Sequence, residues 1–126
     1  MLDLFSGSGI IGFEALSRGA KTITFVDSSL RVNSLLKMNS ILFKEEEINF
    51  FKNDVFKFLK SCDSFDYIFA DPPYKFNEID RLIPQAISCL NDDGIFILES
   101  SPQEYSISPY RVNEYGDTQL TFWKKN

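Results

Sequence analysis

Apolar residues along this chain come in two rhythms. Short, nearly unbroken apolar runs occupy residues 1–5, 22–26, 48–52, 67–70 and 95–99. Runs of that length, rich in Ile, Val and Phe, suit strands covered on both faces. Between them lie longer stretches with helical spacing: one from the glycines through about Arg18, one over residues 30–42 with apolar positions at 32, 35, 36, 38, 41 and 42, a short one over 55–60 that Asp54 can cap, and one over 78–90. Pro84 falls inside the last and predicts a kink or a late start, because its ring has no place in a helix interior. The tetrapeptide NDDG at 91–94 reads as a turn into the fifth strand, and 100–109 as a loop. Residues 110–115 and 118–123 read as a hairpin across Gly116-Asp117.

Strands alternating with helices imply an α/β fold with a parallel sheet and right-handed crossovers, the hairpin adding an antiparallel edge. With 126 residues and no linker, repeat or low-complexity tract, one domain over 1–126 is expected. Ligands of such sheets bind outside the carboxyl ends of the strands, where the strand order reverses.

Composition narrows the chemistry. The chain has no histidine, which removes imidazole triads, the usual general base and most transition-metal sites; no metal is expected. A net charge of −5 argues against a broad nucleic-acid surface, so a nucleic-acid substrate needs a local patch or another segment. Cys62 and Cys89 are far apart in sequence and outside any CxxC, and no apolar run approaches the ~20 residues that span a bilayer. No charged-then-apolar leader opens the chain. A reduced, cytoplasmic protein away from membranes is expected.

Four features fall at predicted strand ends. Gly7, Gly9 and Gly12 form G-x-G-x-x-G between the first strand and a helix, and Asp27 ends the second strand, where a carboxylate accepts ribose hydroxyls. Glycines in a tight structural turn would leave the same trace. Asp3 separates the candidate nucleotides. A carboxylate beside the loop is a poor neighbour for a pyrophosphate and a good one for an ammonium and a sulfonium, which favours S-adenosylmethionine over NAD. Asp3 can also simply tie loop amides together. Asp54 ends the third strand, placed either to accept an adenine amino group or to cap the following helix.

The fourth feature is Asp71-Pro72-Pro73-Tyr74, ending the fourth strand. The prolines fix φ and hold the preceding residues extended, giving a rigid corner with unpaired carbonyls, a carboxylate and an aromatic. That set suits a flat base with an exocyclic amine. If Asp71 and the Pro72 carbonyl accept its N–H bonds, the nitrogen lone pair is freed for methyl transfer, and Tyr74 stacks on the base for roughly 1–3 kcal/mol. The alternative is a proline turn with a capping Asp.

Together LDLFSGSG, Asp27, Asn53-Asp54 and DPPY resemble the class I S-adenosylmethionine-dependent amino-methyltransferases. GSGxxGxEALSRGA (Gly7–Ala20) and YGDTQL (Tyr115–Leu120) are similar to the RsmD family, which methylates a guanine N2 in small-subunit ribosomal RNA. The resemblance covers essentially the whole chain. It implies a Rossmann-like, mostly parallel seven-stranded sheet with the hairpin at its edge. It also implies a cofactor lining of Asp3, Phe5, Gly7, Gly9, Asp27 and Asp54, and an amino-group clamp of Asp71, Pro72, Pro73 and Tyr74, with the small ribosomal subunit or its RNA as partner. Family members carry a segment ahead of the first strand that helps close the cofactor site and contacts RNA. This chain starts at Met1 inside that strand, so a missing segment or a partner chain is expected to supply those contacts, and the strand's first residue to fray. DPPY is shared with DNA adenine methyltransferases, which keeps another amino-methyltransferase as the alternative. A catalytically silent cofactor-binding remnant is a second alternative. An NAD-dependent oxidoreductase would leave DPPY unexplained.

Overall fold

Seven strands form one sheet in the spatial order β3-β2-β1-β4-β5-β7-β6. They are β1 (Leu2–Leu4), β2 (Ile23–Asp27), β3 (Ile48–Lys52), β4 (Phe65–Ala70), β5 (Leu90–Ser100), β6 (Arg111–Tyr115) and β7 (Thr118–Lys124). The computed structural model describes residues 1–43 and 47–126. β1 to β5 pair in parallel, and β7 runs antiparallel to both β5 and β6, so the sheet has the strand count and the antiparallel edge that the resemblance implies. The helices are α1 (Ile10–Ser17), α2 (Leu30–Asn39), α3 (Val55–Leu59) and α4 (Ile79–Ser88).

Strand alternation sorts the core onto two faces. Leu2, Leu4, Val26 and Ile68 pack with Leu82, Ile83 and Ala86 of α4 and with α3. Ile23 and Phe25 face the other way, against Leu16 of α1 and Leu36 of α2. Asp3 lies between Leu2 and Leu4, so the same alternation turns it toward the α1 face. Register does the rest: Leu4 pairs with Val26 on one side and Ala70 on the other.

Several expectations are corrected. α4 starts at Ile79 and continues through Pro84, with no late start. The proline removes the donor for the Asp80 carbonyl and costs about 3 kcal/mol, but full burial of Leu82 and Ile83 contributes about 1.5–3 kcal/mol each. Residues 91–94 are no free turn. They belong to β5 as a bulge, with partners stepping from Phe65↔Leu90 to Tyr67↔Ile95. The Asp93 N–H donates to the Lys125 carbonyl at 2.9 Å, so the end of β7 holds the bulge in the sheet. The helix expected over 30–42 stops at Asn39 and tightens into a 3-10 turn, Ser40–Leu42. β4 begins two residues earlier than expected, at Phe65. The first residue is tied down rather than frayed: the Thr24 N–H donates to the Met1 carbonyl at 2.9 Å. Cys62 and Cys89 meet with sulfurs 2.9 Å apart, both free thiols, and burial pushes the Cys62 thiol up to about 12.

Candidate active site

The order of the sheet reverses at β1: the chain moves outward to β2 and β3, then crosses back to β4 on β1's other side. Because Leu4 and Ala70 are paired, Phe5 and Asp71 leave the sheet side by side. The glycine loop and the DPPY corner therefore start from neighbouring strands, though 66 residues separate Phe5 from Asp71.

The loop is built from left-handed backbone. Phe5, Gly7 and Gly9 have φ of 56°, 57° and 82°. Glycine takes this conformation freely, whereas Phe5 takes it at a cost of about 1–2 kcal/mol. Ser6 staples the loop to β2: its hydroxyl donates to the Asp3 carbonyl at 2.6 Å and accepts the Val26 N–H at 3.1 Å. The Phe5 ring meets Phe76 edge-on, with centroids 5.0 Å apart, and so couples the loop to the segment after DPPY. Gly9 and Gly7 differ in purpose. A Cβ at Gly9 would lie 2.5 Å from Leu36 Cδ2, while one at Gly7 would meet nothing within 4 Å. Gly9 serves packing, and Gly7 leaves an open approach to the backbone.

The carboxylates have separate environments. Asp27 accepts the Ser29 N–H at 2.9 Å and the Gly7 N–H at 3.4 Å, so it shapes the loop and starts α2. Four acceptor positions on a carboxylate leave room for ribose hydroxyls as well. Asp54 caps α3, accepting from the Phe56 and Lys57 N–H groups at 3.0 and 3.1 Å. Asp3 is the anomaly. It is 2% exposed, and its Oδ2 is the one buried side-chain polar atom among the described residues with no hydrogen-bond partner. Burial pushes its carboxyl up to about 7; the Gly12 N–H opposes this, and the charges of Asp71 and Asp27 add to it. The ion pairs among the described residues, Arg18–Glu14, Arg81–Glu78 and Lys124–Asp93, all lie elsewhere. An unpartnered buried acceptor amid uncompensated negative charge fits a ligand with an ammonium and a sulfonium, and repels a pyrophosphate.

At the corner, Tyr74 is fully exposed, and the chain turns back as the Phe76 N–H donates to the Pro73 carbonyl at 2.9 Å. That bond corrects the expectation of unpaired carbonyls throughout the corner. Phe76 anchors the turn between the Phe5 and Phe56 rings. One group escaped the sequence reading. The Ala70↔Leu98 pair sets Glu99 near the end of β5 beside Asp71. Burial pushes both carboxyls upward; for Glu99 the Asp71 charge adds to the rise, while the neighbouring Glu99 side chain as a hydrogen-bonding group opposes it for Asp71. The strand-end rule that singled out Asp71 applies equally to Glu99, and was the available signal. A cleft of about 110 Å³ opens beside Glu99, lined by Pro72, Tyr74, Phe76, Glu99, Ser101 and Gln103. A roomier hollow of about 550 Å³ lies over β2 and β3, from Thr22 to Phe65, away from these groups.

The family described as conserved hypothetical protein 95 matches residues 1–124. A ribosomal RNA small subunit methyltransferase D of Haemophilus influenzae is 44% identical over 98 residues, covering 74% of this chain and 49% of that protein. The chain thus spans about half the length of this curated relative. Among solved structures, a conserved hypothetical protein of Streptococcus pyogenes superposes with a TM-score of 0.86 at 24% identity, over 99% of this chain and 84% of its own. An RNA methyltransferase from Salinibacter ruber in complex with S-adenosyl-L-homocysteine has a TM-score of 0.76 at 13% identity, over 98% of this chain and 78% of its own. These two likenesses establish a shared fold. With its model matched along nearly the entire sequence, the chain belongs to the conserved hypothetical protein 95 family, the RsmD family.

Proposed function

We propose that this chain carries the catalytic core of an S-adenosylmethionine-dependent methyltransferase acting on the exocyclic N2 amine of a guanine in small-subunit ribosomal RNA. One observation carries the reading: an acidic, cation-seeking cradle at the end of β1 adjoins a carboxylate–aromatic corner at the end of β4. Bound S-adenosylmethionine supplies a methyl group made electrophilic by its sulfonium. Asp3 receives the ammonium of the cofactor's amino-acid end, and Asp27 its ribose hydroxyls. Gly7 lets the ligand approach the backbone.

At the corner, Asp71 and the Pro72 carbonyl accept the two N–H bonds of the amine. This draws the nitrogen toward a tetrahedral shape and frees its lone pair. Tyr74, exposed and unpacked, stacks on the base after it leaves its helix, a step costing a few kcal/mol. Asp71, raised by burial, then takes the proton that the amine sheds. The name of the Haemophilus relative supports an RNA substrate. With a net charge of −5, this chain offers few phosphate contacts, so a further segment or a partner holds the RNA backbone.

Calorimetric titration with S-adenosylhomocysteine, with NADH as the control, tests the cofactor half. Micromolar or tighter binding of the first and none of the second is expected, and the reverse order overturns the reading. Methyl transfer to unmodified small ribosomal subunits tests the other half. Asp71→Ala should abolish transfer and leave cofactor affinity nearly unchanged; a large loss of affinity would put Asp71 in the wrong site.

A further inference from the structure

We propose that Glu99 is the residue that selects guanine, accepting the ring N1–H while Asp71 accepts from the neighbouring amine; this rests on the function proposed above. Parallel pairing of β4 and β5 sets the two residues side by side at the strand ends, Glu99 on the wall of the cleft that Pro72 and Tyr74 also line and Asp71 immediately before Pro72. Two adjacent acceptors call for two adjacent donors. Among the RNA bases that carry an exocyclic amine, guanine alone has a ring N–H beside it. Adenine and cytosine present a ring-nitrogen lone pair there, which would face the Glu99 carboxylate and be repelled.

The third group on the guanine edge, O6, is an acceptor, and the cleft continues past Glu99 to Gln103. Among the described residues the Gln103 amide nitrogen makes only long contacts, 3.5 Å to Ser101 Oγ and to the Ser101 carbonyl, which leaves it able to donate. Acceptor, acceptor and donor thus follow one another from β4 across β5 to the loop beyond. Burial raises both carboxyls, as it does for acceptors desolvated without a compensating positive charge.

The test uses radiolabelled S-adenosylmethionine and RNA oligonucleotides that differ at one position, guanine, 2-aminopurine or adenine. 2-Aminopurine keeps the amine at C2 but turns N1 from donor into acceptor and also lacks O6. The wild-type protein should prefer guanine to 2-aminopurine by roughly 10- to 100-fold, the worth of a hydrogen bond to a charged group. Glu99→Gln can offer N1 a donor in place of a carboxylate. It should narrow that ratio at least about threefold, the remainder being the O6 contact of Gln103 that 2-aminopurine lacks, with S-adenosylhomocysteine affinity unchanged. A ratio that stays at the wild-type value in Glu99→Gln overturns the assignment and leaves the guanine reading standing. Transfer by the wild type to adenine but not guanine, or to none of the three, overturns the function itself, and this inference falls with it.

Discussion

Replacing Asp3 by Asn should make the unliganded protein more stable while crippling cofactor binding. Asp3 is 2% exposed with one oxygen unpartnered, and burial holds its carboxyl at about 7 instead of 3.8. A carboxyl raised in this way binds its proton more tightly in the folded state than in the unfolded one. Its effect on stability is therefore nil below pH 4 and grows unfavourable as the pH climbs through the interval to about 7. At 1.36 kcal/mol per pH unit, the whole interval amounts to roughly 4 kcal/mol. Asn keeps an oxygen for the Gly12 N–H and removes the charge, but buries an unpaired N–H at a cost of about 1–3 kcal/mol. The net gain at pH 8 is about 1–3 kcal/mol, or roughly 3–10 °C in Tm for a domain of this size. Thermal melts of both proteins at pH 4 and pH 8 provide the assay. The gain should be present at pH 8 and gone at pH 4. A difference that is the same at both pH values, or a variant less stable at pH 8, refutes the reasoning. With the role proposed for Asp3, as acceptor of the ammonium of S-adenosylhomocysteine, Asp3→Asn should bind that ligand far more weakly.

The two loop glycines should behave differently. Gly9→Ala forces a left-handed alanine against Leu36 and Phe13, and should cost about 2–4 kcal/mol in urea unfolding, whereas Gly7→Ala costs only the backbone term of about 1–2 kcal/mol. Equal losses would mean that the packing around Gly9 yields. Asp27→Ala should weaken S-adenosylhomocysteine by roughly 1–3 kcal/mol through an unpaired ribose hydroxyl, and destabilise the loop because the Gly7 and Ser29 N–H groups lose their acceptor. An affinity unchanged in calorimetry would leave Asp27 a purely structural residue.

Much of this arrangement was legible in the chain alone, wherever the controlling physics is local. Apolar runs of strand length separated by helical spacing determined the order of elements, because backbone pairing and face burial impose periods that the sequence must obey. Glycines, prolines and strand-end carboxylates marked Gly7, Gly9, Asp27, Asp54 and Asp71, since left-handed turns, fixed φ and crevice positions restrict which residues can stand there.

What the chain left open depended on partners distant in sequence. Whether 91–94 formed a turn or a bulge depended on Lys125 arriving from β7 to pair with it. Whether Pro84 delayed its helix depended on how deeply Leu82 and Ile83, just ahead of it, were buried. That Asp54 caps α3 became visible only when the Phe56 and Lys57 N–H groups were seen to donate to one of its oxygens, Oδ2. Glu99 acquired meaning only when parallel pairing of β4 and β5 brought it to Asp71, 28 residues earlier in the chain. The burial of Asp3 likewise belongs to the fold: desolvation is set by everything packed around a group, and no single stretch of sequence contains that shell.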